Sequence, residues 1–211
     1  MKRFFSLLLV SCCVLMVSAQ DMKTLFINMP DSVAPLLTKV NREDCVDFLE
    51  YHMQAKVKNK LGKTSQLDTL TTDYLNLKMT ASCSLEMKLL PVTDSTQVIC
   101  LVKTVDLPVA DSHVSFFDTQ WTPLDAEDFL KCPLADDFYQ PVDSLSEEDV
   151  ALRAKADIDL MKAKLSIKDR SLTFTYTTPQ YLTKEDQKKF MKQIRREALV
   201  YEWKDGRFVL K

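Results

Sequence analysis

The regular alternation of apolar and polar residues over Leu75–Leu89 constrains the fold of this chain more than any other feature. Every odd position in this range is apolar, and every even position is polar. Because successive side chains of a β-strand point to opposite faces of its sheet, the pattern predicts one long strand with a dry face and a wet face. The run Val98–Val102 is apolar throughout, which predicts a central strand covered on both faces. A third strand is expected over His113–Trp121.

Two hairpins are expected nearer the C terminus. In the first, a register that pairs Ile167 with Leu172 places the apolar residues of both strands on one face of the sheet. The second turns at Asp205-Gly206, a dipeptide that favours the type I′ turn, and pairs Trp203 with Phe208.

Helix start signals occur at three places. Asn41 is a suitable N-cap, and the apolar periodicity after it predicts a helix that runs to about Lys60 and ends at Gly62. Ser146 and Thr183 are the expected starts of two later helices.

The pattern as a whole predicts an α+β fold, in which an antiparallel sheet of meandering hairpins carries helices packed on one face. Residues 20–30 are interpreted as a lead-in segment, and residues 31–37 as a turn region with a brief helix. We expect a single domain over residues 20–211. The polar stretch near residues 140–150 leaves open a sub-boundary between two similar helix-plus-sheet halves.

The N terminus has the composition of a secretory signal peptide. Lys2 starts a short positive region, Phe4–Val17 is almost wholly apolar, and small residues precede Ala19. We therefore expect residues 1–19 to be removed by cleavage before Gln20, which places the mature protein in the periplasm or at the cell surface.

Two alternatives concern the same segment. Leu9–Cys12 resembles a lipobox, which would make Cys12 an acylated N terminus, but the apolar run continues after it over Val14–Val17. A retained membrane anchor would need about 20 apolar residues, and this run is shorter. We expect no transmembrane segment after cleavage.

Composition excludes several classes of function. The chain carries 28 basic and 30 acidic residues, and no basic stripe is interleaved with aromatics, so nucleic-acid binding is disfavoured. Gly62 and Gly206 are its only glycines. Phosphate-binding loops need glycines where the backbone approaches the ligand, so the usual nucleotide sites are absent and we expect no cofactor.

Four cysteines follow the leader, and their disulfide state stays open. If Thr93–Thr96 form the turn of a hairpin, Cys100 faces Leu89 and Cys83 faces Asp106. Cys83 and Cys100 are then about 20 Å apart along the strands, too far for a disulfide. The remaining pairings and four free thiols are all compatible with the sequence, which contains no C-x-x-C motif for zinc or redox chemistry.

Several segments have a familiar composition: Met29–Leu37, Asn41–Leu49, Asn59–Gly62, Asp73–Leu75, Glu86–Pro91 and Phe116–Trp121. Together they resemble a family of secreted proteins of Gram-negative anaerobes that is known only as a domain of unknown function. The resemblance covers most of the mature chain and implies no activity, ligand or site. A looser similarity to periplasmic modules of repeated helix-plus-sheet units concerns the fold alone.

The sequence contains no catalytic signature. Nucleophilic catalysis needs a base, and the candidate histidines are His52, expected on the buried face of its helix, and His113, expected in solvent. No G-x-S-x-G or H-E-x-x-H motif is present. Asp157-Ile158-Asp159 is only a fragment of a calcium loop, so we predict no metal site.

The leading hypothesis is therefore a non-catalytic binding module of the cell envelope, whose partner is a protein, a peptide or a glycan. Four aromatic residues are the candidate binding residues: Phe116, Phe117, Trp121 and Tyr139. Phe116 and Phe117 must point to opposite faces of their strand. One alternative is a hydrolase that uses paired carboxylates on envelope or glycan substrates. Another is a structural subunit of an envelope complex.

Overall fold

A computed structural model describes residues 21–141, 146–195 and 198–211. Two antiparallel sheets pack face to face, and two N-terminal helices cover the outer side of the larger sheet. The fold is thus α+β, as predicted. The expected cleavage site, the lipobox at Cys12 and residues 142–145 of the expected sub-boundary lie outside the described residues. Both the leader and the sub-boundary remain predictions.

The large sheet is a seven-stranded meander in which each strand pairs with the next along the chain. Its strands are β1 (Ala55–Lys58), β2 (Thr64–Leu70), β3 (Tyr74–Thr80), β4 (Cys83–Pro91), β5 (Gln97–Asp106), β6 (Ala110–Asp118) and β7 (Pro123–Leu124).

The small sheet has the order β11-β10-β9-β8. Its strands are β8 (Met161–Leu165), β9 (Ser171–Tyr176), β10 (Ala198–Lys204) and β11 (Arg207–Leu210). Four α-helices are described: α1 (Met22–Ile27), α2 (Lys39–Glu50), α3 (Glu147–Lys155) and α4 (Lys184–Phe190). None of the helices in these ranges is long and apolar enough to span a membrane.

The predicted long strand is wrong in one respect, because it is the hairpin of β3 and β4. Leu77 pairs with Leu85, and Ala81-Ser82 form the turn. Odd-numbered residues of β3 therefore pair with odd-numbered residues of β4, such as Leu75 with Met87. For this reason the apolar–polar alternation of the sequence does not reveal the turn. Most of the odd side chains, such as Leu75 and Met87, are fully buried on the side of the large sheet that faces the helices, whereas Ala81 in the turn is exposed and Cys83 is half-buried.

The second face of the large sheet is drier than the alternation predicts. Val98–Val102 of β5 are buried on both faces, as expected. Lys88, however, is an even residue of β4 and is only 2% exposed. The small sheet covers this face, where Cys100 of β5 packs into the same core as Phe174 of β9.

The helix layer also differs from the prediction. Asn41 is not the N-cap of α2, because Thr38 begins the helix in a capping box with Asn41. The helix ends at Glu50, β1 occupies the region expected to be the end of this helix, and β2 was not predicted. The lead-in segment contains α1, which Asp21 caps, and residues 31–37 form turns without a helix.

The small sheet follows the sequence closely. Trp203 pairs with Phe208 across Asp205-Gly206, both with positive φ, as predicted. The β8–β9 register is shifted by two residues, since Leu165 and not Ile167 pairs with Leu172. A shift by an even number keeps every side chain on its predicted face. Ser146 and Thr183 cap α3 and α4, as expected.

Arg42 joins the helices to the segment between them. Its side chain is buried, and its guanidinium donates to the carbonyls of Ile27 and Leu37 at 3.2 and 2.8 Å. It also contacts the Asp31 carboxylate at 3.2 Å, and Lys60 contacts the same carboxylate at 3.0 Å. These two cations lower the pKa of Asp31, with Lys60 making the larger contribution.

We predict that Arg42→Met lowers the free energy of unfolding by about 2–4 kcal/mol, because it leaves two carbonyls without a donor. Urea denaturation of the mature protein measures this change. Lys60→Met is the matched control, since it removes only an exposed ion pair and should cost less than about 1 kcal/mol. Equal losses in the two variants would contradict the role assigned to Arg42.

Candidate functional site

The four aromatic candidates do not lie on one surface. Phe116 is 1% exposed and stacks on Phe129, with ring centroids 5.0 Å apart, in the core between the sheets. Phe117 points to the opposite face, as predicted for adjacent strand residues, and packs against Trp121 at 5.5 Å. Tyr139 lies near α3, where the Arg153 guanidinium is 4.0 Å from its ring centroid.

Trp121 is mostly buried and has a positive φ of 68°. Its indole Nε1 has no hydrogen-bond partner among the described residues. Asp118 holds this turn, because its carboxylate accepts from the backbone N–H groups of Gln120 and Thr122, each at 2.8 Å. Phe116 and Trp121 thus offer little surface to a ligand.

The two histidines lie in solvent. His113 is exposed, as expected. His52 is also exposed, and its prediction on a buried helix face is wrong, because α2 has already ended and His52 adopts a φ of 58°. Within the described ranges, no three His, Cys, Asp or Glu side chains are arranged to hold a metal ion.

All four cysteines of the described chain are free thiols. Cys83 lies opposite Val105 and Cys100 opposite Lys88, so the inference that Cys83 and Cys100 are too far apart to bond is confirmed. The register differs from the predicted one by a single residue. Burial raises the pKa of the Cys45 thiol to about 11 and also raises that of Cys100, and partial desolvation raises the pKa of Cys132, whose side chain is otherwise exposed.

A buried polar cluster lies between the sheets, and the sequence alone did not reveal it. Glu86 of β4 accepts the Leu165 N–H at 2.8 Å and the Tyr74 hydroxyl at 3.2 Å. Beside it, the Lys88 ammonium lies 3.0 Å from the Asp73 carboxylate. Desolvation between the sheets raises the pKa of Glu86, and the Leu165 and Tyr74 hydrogen bonds partly oppose that rise.

This cluster closes one edge of the small sheet. The N–H groups of Leu165 and Met161 point away from β9, and carboxylates of the large sheet accept both of them. Glu86 accepts from Leu165, and Asp111 accepts from Met161 at 3.1 Å. An exposed strand edge invites pairing with other chains, so these bonds protect β8. Glu86 lines none of the cavities described below, which favours a structural role.

The opposite edge of the small sheet borders a groove, which we call the β11 groove. Two adjoining cavities of about 540 and 550 Å³ form it, and both are lined by Lys131, Cys132 and Arg207. The first cavity extends along β11 to Leu210 and is also bordered by Leu134. Leu134 is 68% exposed and Leu210 is 45% exposed.

Buried aromatic side chains form the floor of the β11 groove. Phe208 and Tyr201 both line the first cavity and are nearly inaccessible to solvent. Burial raises the pKa of Tyr201 to about 12, so its hydroxyl stays protonated at neutral pH. The groove is therefore apolar at its base, with charged side chains at its rim.

The cations of this rim have no acidic partner among the described side chains. Neither Lys131 nor Arg207 forms an ion pair within the described ranges. Asp137 shares the first cavity, but its carboxylate accepts the Leu134 N–H at 2.8 Å. Glu127 borders only the second cavity. An anionic group entering beside Leu134 would therefore meet two available cations.

A third cavity of about 420 Å³ lies on the outer face of the small sheet and contains two carboxylates, Asp169 and Glu202. Hydrogen bonds from Ser171 and Ser166 lower the pKa of Asp169. Lys204 and Lys211, at 2.8 and 2.7 Å, lower the pKa of Glu202 to about 2. Both groups are therefore ionised at neutral pH, whereas acid catalysis needs one protonated carboxyl.

The protein is an α+β domain of two packed antiparallel sheets, and the cavities described above are open grooves on its surface. The model of a family described as "Protein of unknown function (DUF3256)" matches residues 14–208, and the chain belongs to this family. The resemblance noted from the sequence is thereby confirmed. No protein with a curated description matches the chain.

A solved structure supports the fold. The chain is similar to a domain of an uncharacterized protein from Porphyromonas gingivalis, with a TM-score of 0.81 and 30% sequence identity. The match covers 92% of this chain and 100% of the other. The description of that domain adds no activity.

We predict that Glu86→Gln changes how stability depends on pH. The folded-state pKa of Glu86 lies above its ordinary value of 4.5, so the stabilisation from its protonated form is fully present below pH 4.5. That stabilisation is lost as pH rises through the folded-state pKa. The variant lacks this loss, so its free energy of unfolding should rise relative to that of the parent over this range.

Urea unfolding at a series of pH values from about 4 to 8 measures the difference. Asp169→Asn is the control, because the pKa of Asp169 is lowered from its ordinary value of 3.8 and its difference should therefore stay flat above about pH 5. A flat difference for Glu86→Gln would show that burial does not raise the pKa of Glu86.

We also predict the order in which the thiols react with iodoacetamide. Cys132 is exposed and should be alkylated first in the native protein, followed by the half-buried Cys83. Cys45 and Cys100 are fully buried and should react only after unfolding in urea. Peptide mass spectrometry of timed samples checks the order, and native labelling of Cys100 as fast as Cys132 would contradict it.

Proposed function

We propose that this protein is a non-catalytic binding module of the cell envelope and that its partner binds in the β11 groove. The groove itself is the observation that carries the proposal. Leu134 and Leu210 expose apolar surface beside a base of buried aromatics, and Lys131 and Arg207 are free to pair with an anion. Contiguous apolar surface with a polar rim is typical of interaction sites.

The export of the protein rests on the sequence. A positive start, an apolar run and small residues before Ala19 support a cleaved leader. The envelope is therefore the proposed location of both the protein and its partner.

The positions of the carboxylates favour binding over hydrolysis. A carboxylate-dependent hydrolase needs one acid with a raised pKa beside a second carboxylate in a cleft. Glu86 is a carboxyl group with a raised pKa, but it is bonded to the edge of β8. The two carboxylates that share a cavity, Asp169 and Glu202, both have lowered pKa values.

The small apolar surface of the β11 groove favours a reversible binding module over a permanent subunit of an envelope complex. Obligate interfaces bury roughly 2,000 Å² or more and are strongly apolar. The β11 groove exposes two leucines and the neighbouring Val209, with cations close by. These features fit the docking of a short segment better than the permanent burial of a whole face.

The test compares two exposed leucines. Leu134→Asp places a charge in the groove, whereas Leu61→Asp places the same charge at a leucine of similar exposure, 65% against 68%, in the β1–β2 turn. Immobilised mature protein is incubated with a solubilised envelope fraction, and the captured material is quantified by mass spectrometry. We expect Leu134→Asp to reduce capture at least about tenfold, because it removes an apolar contact and its carboxylate competes with an anionic partner for Lys131 and Arg207.

The control variant Leu61→Asp should capture as much as the parent protein. Equal capture by both variants and the parent would contradict binding in the groove. Turnover of an envelope polymer by the purified protein would contradict a non-catalytic function.

A further inference from the structure

We propose that the partner segment is an extended peptide with acidic and apolar residues that adds a fifth strand to the small sheet at β11. This inference rests on the proposed function, because it names the kind of segment that the β11 groove receives. Strand addition at an open sheet edge supplies affinity through backbone hydrogen bonds and specificity through side-chain pockets.

The hydrogen-bond pattern shows which groups of β11 face outward. Lys211 donates its N–H to the carbonyl of Val200 in β10, and alternation along an antiparallel pair then turns the N–H and C=O of Leu210 away from β10. Phe208 also faces outward, and its N–H donates to the Phe129 carbonyl at 2.7 Å. No described backbone group pairs with the N–H or C=O of Leu210.

The two edges of the small sheet are treated differently. At β8, carboxylates of the large sheet accept the outward N–H groups of Leu165 and Met161. At β11, the outward N–H of Phe208 is bonded to the Phe129 carbonyl, and the cavity lies beside the outward groups of Leu210. An incoming strand can therefore bond to Leu210 without displacing any hydrogen bond of the described structure.

The side chains around this edge specify the composition of the strand. An extended peptide presents alternate side chains to the same face. Those directed inward would enter the cavity between Leu134 and Leu210, above Phe208, where apolar groups are favoured. Lys131 and Arg207 line both cavities, so an acidic residue at the end of the segment beside Arg207 would reach one of them, and neither has an ion-pair partner in the described ranges.

The same charges disfavour a second copy of this chain as the occupant. Pairing β11 with β11 of another molecule would bring Lys131 and Arg207 from both copies to one seam. Like charges across an interface oppose association. An acidic segment instead neutralises these cations, so charge complementarity favours a different partner.

The test uses a synthetic peptide as the probe. The peptide is blocked at both termini, alternates leucine with threonine, and has one glutamate at each end. One control peptide carries lysine at both ends, and a second keeps the glutamates but is N-methylated on alternate amides of the edge that pairs. Affinities are measured by calorimetric titration against the mature protein, and amide exchange is followed by NMR.

We expect the glutamate-ended peptide to bind and to slow exchange of the Leu210 amide. The Val209 amide faces β10 and is the internal reference, since its exchange should change little. The lysine-ended and N-methylated peptides should bind at least about tenfold more weakly. The double variant Lys131→Glu with Arg207→Glu should invert the preference between glutamate and lysine ends, a change that a general loss of structure could not produce.

Three results would overturn strand addition. The first is no binding of the glutamate-ended peptide, and the second is equal binding of the N-methylated peptide. The third is a Leu210 amide that is already protected in the free protein in a concentration-dependent way, which would identify a second copy as the occupant.

The envelope capture experiment distinguishes failure of strand addition at β11 from failure of binding in the β11 groove. Leu210→Pro removes the outward N–H at an edge position where proline is tolerated, and Leu210→Val keeps it. Capture that depends on Leu134 but is equal in Leu210→Pro and Leu210→Val would retain the binding module and reject strand addition. Capture that is independent of Leu134 would reject the β11 groove as the site.

Discussion

The packing of the small sheet across the second face of the large sheet is the constraint on which the rest of the structure depends. The central strand β5 is apolar on both sides, so helices α1 and α2 can bury only one of them. The other side needs an apolar partner, which Leu172 and Phe174 of the small sheet supply. This arrangement sets β8 over β4, β5 and β6 and leaves β11 away from that contact.

Covering the second face has an electrostatic consequence. Polar residues of β4 that would otherwise lie in water are enclosed, and each needs a partner there. Lys88 pairs with Asp73, and Glu86 accepts the free N–H of Leu165. The packing of the two sheets thus both desolvates the Glu86 carboxyl and provides a hydrogen-bond acceptor for the edge of β8. The edge at β11 meets no such carboxylate, which leaves it available to another chain.

The segments that carry the family resemblance coincide with these structural contacts. Asp73–Leu75 and Glu86–Pro91 contribute the polar cluster between the sheets. Met29–Leu37 and Asn41–Leu49 contain Asp31 and Arg42, which join the helices. These motifs therefore identify the architecture of the family, and they do so without marking the β11 groove, which lies mainly outside them.

The limits of sequence reasoning follow from the same geometry. Alternation fixed which residues of β3 and β4 are buried but not where the chain turns, because pairing odd with odd residues preserves the period across the hairpin. The β8–β9 register was displaced by two residues because the turn, held by Ser166 and Asp169, is centred one residue nearer the N terminus than expected, with the Ser166 N–H bonded to the Ser171 carbonyl. β1 was missed because it lies in the part of the chain assigned to the helix expected to reach Lys60, and β2 because its polar sequence carries no clear alternation.

The sequence by itself determined the α+β class, one buried face of the strands that it predicted, the caps of the later helices and the tight final turn. Each of these depends on local periodicity or on the backbone preference of a few adjacent residues. Only the tertiary structure decided that Lys88 is buried, that one edge of the small sheet is closed and that the other borders a groove. Those outcomes depend on which strands meet across the two sheets, and the partners, such as Glu86 and Leu165, lie far apart in the chain.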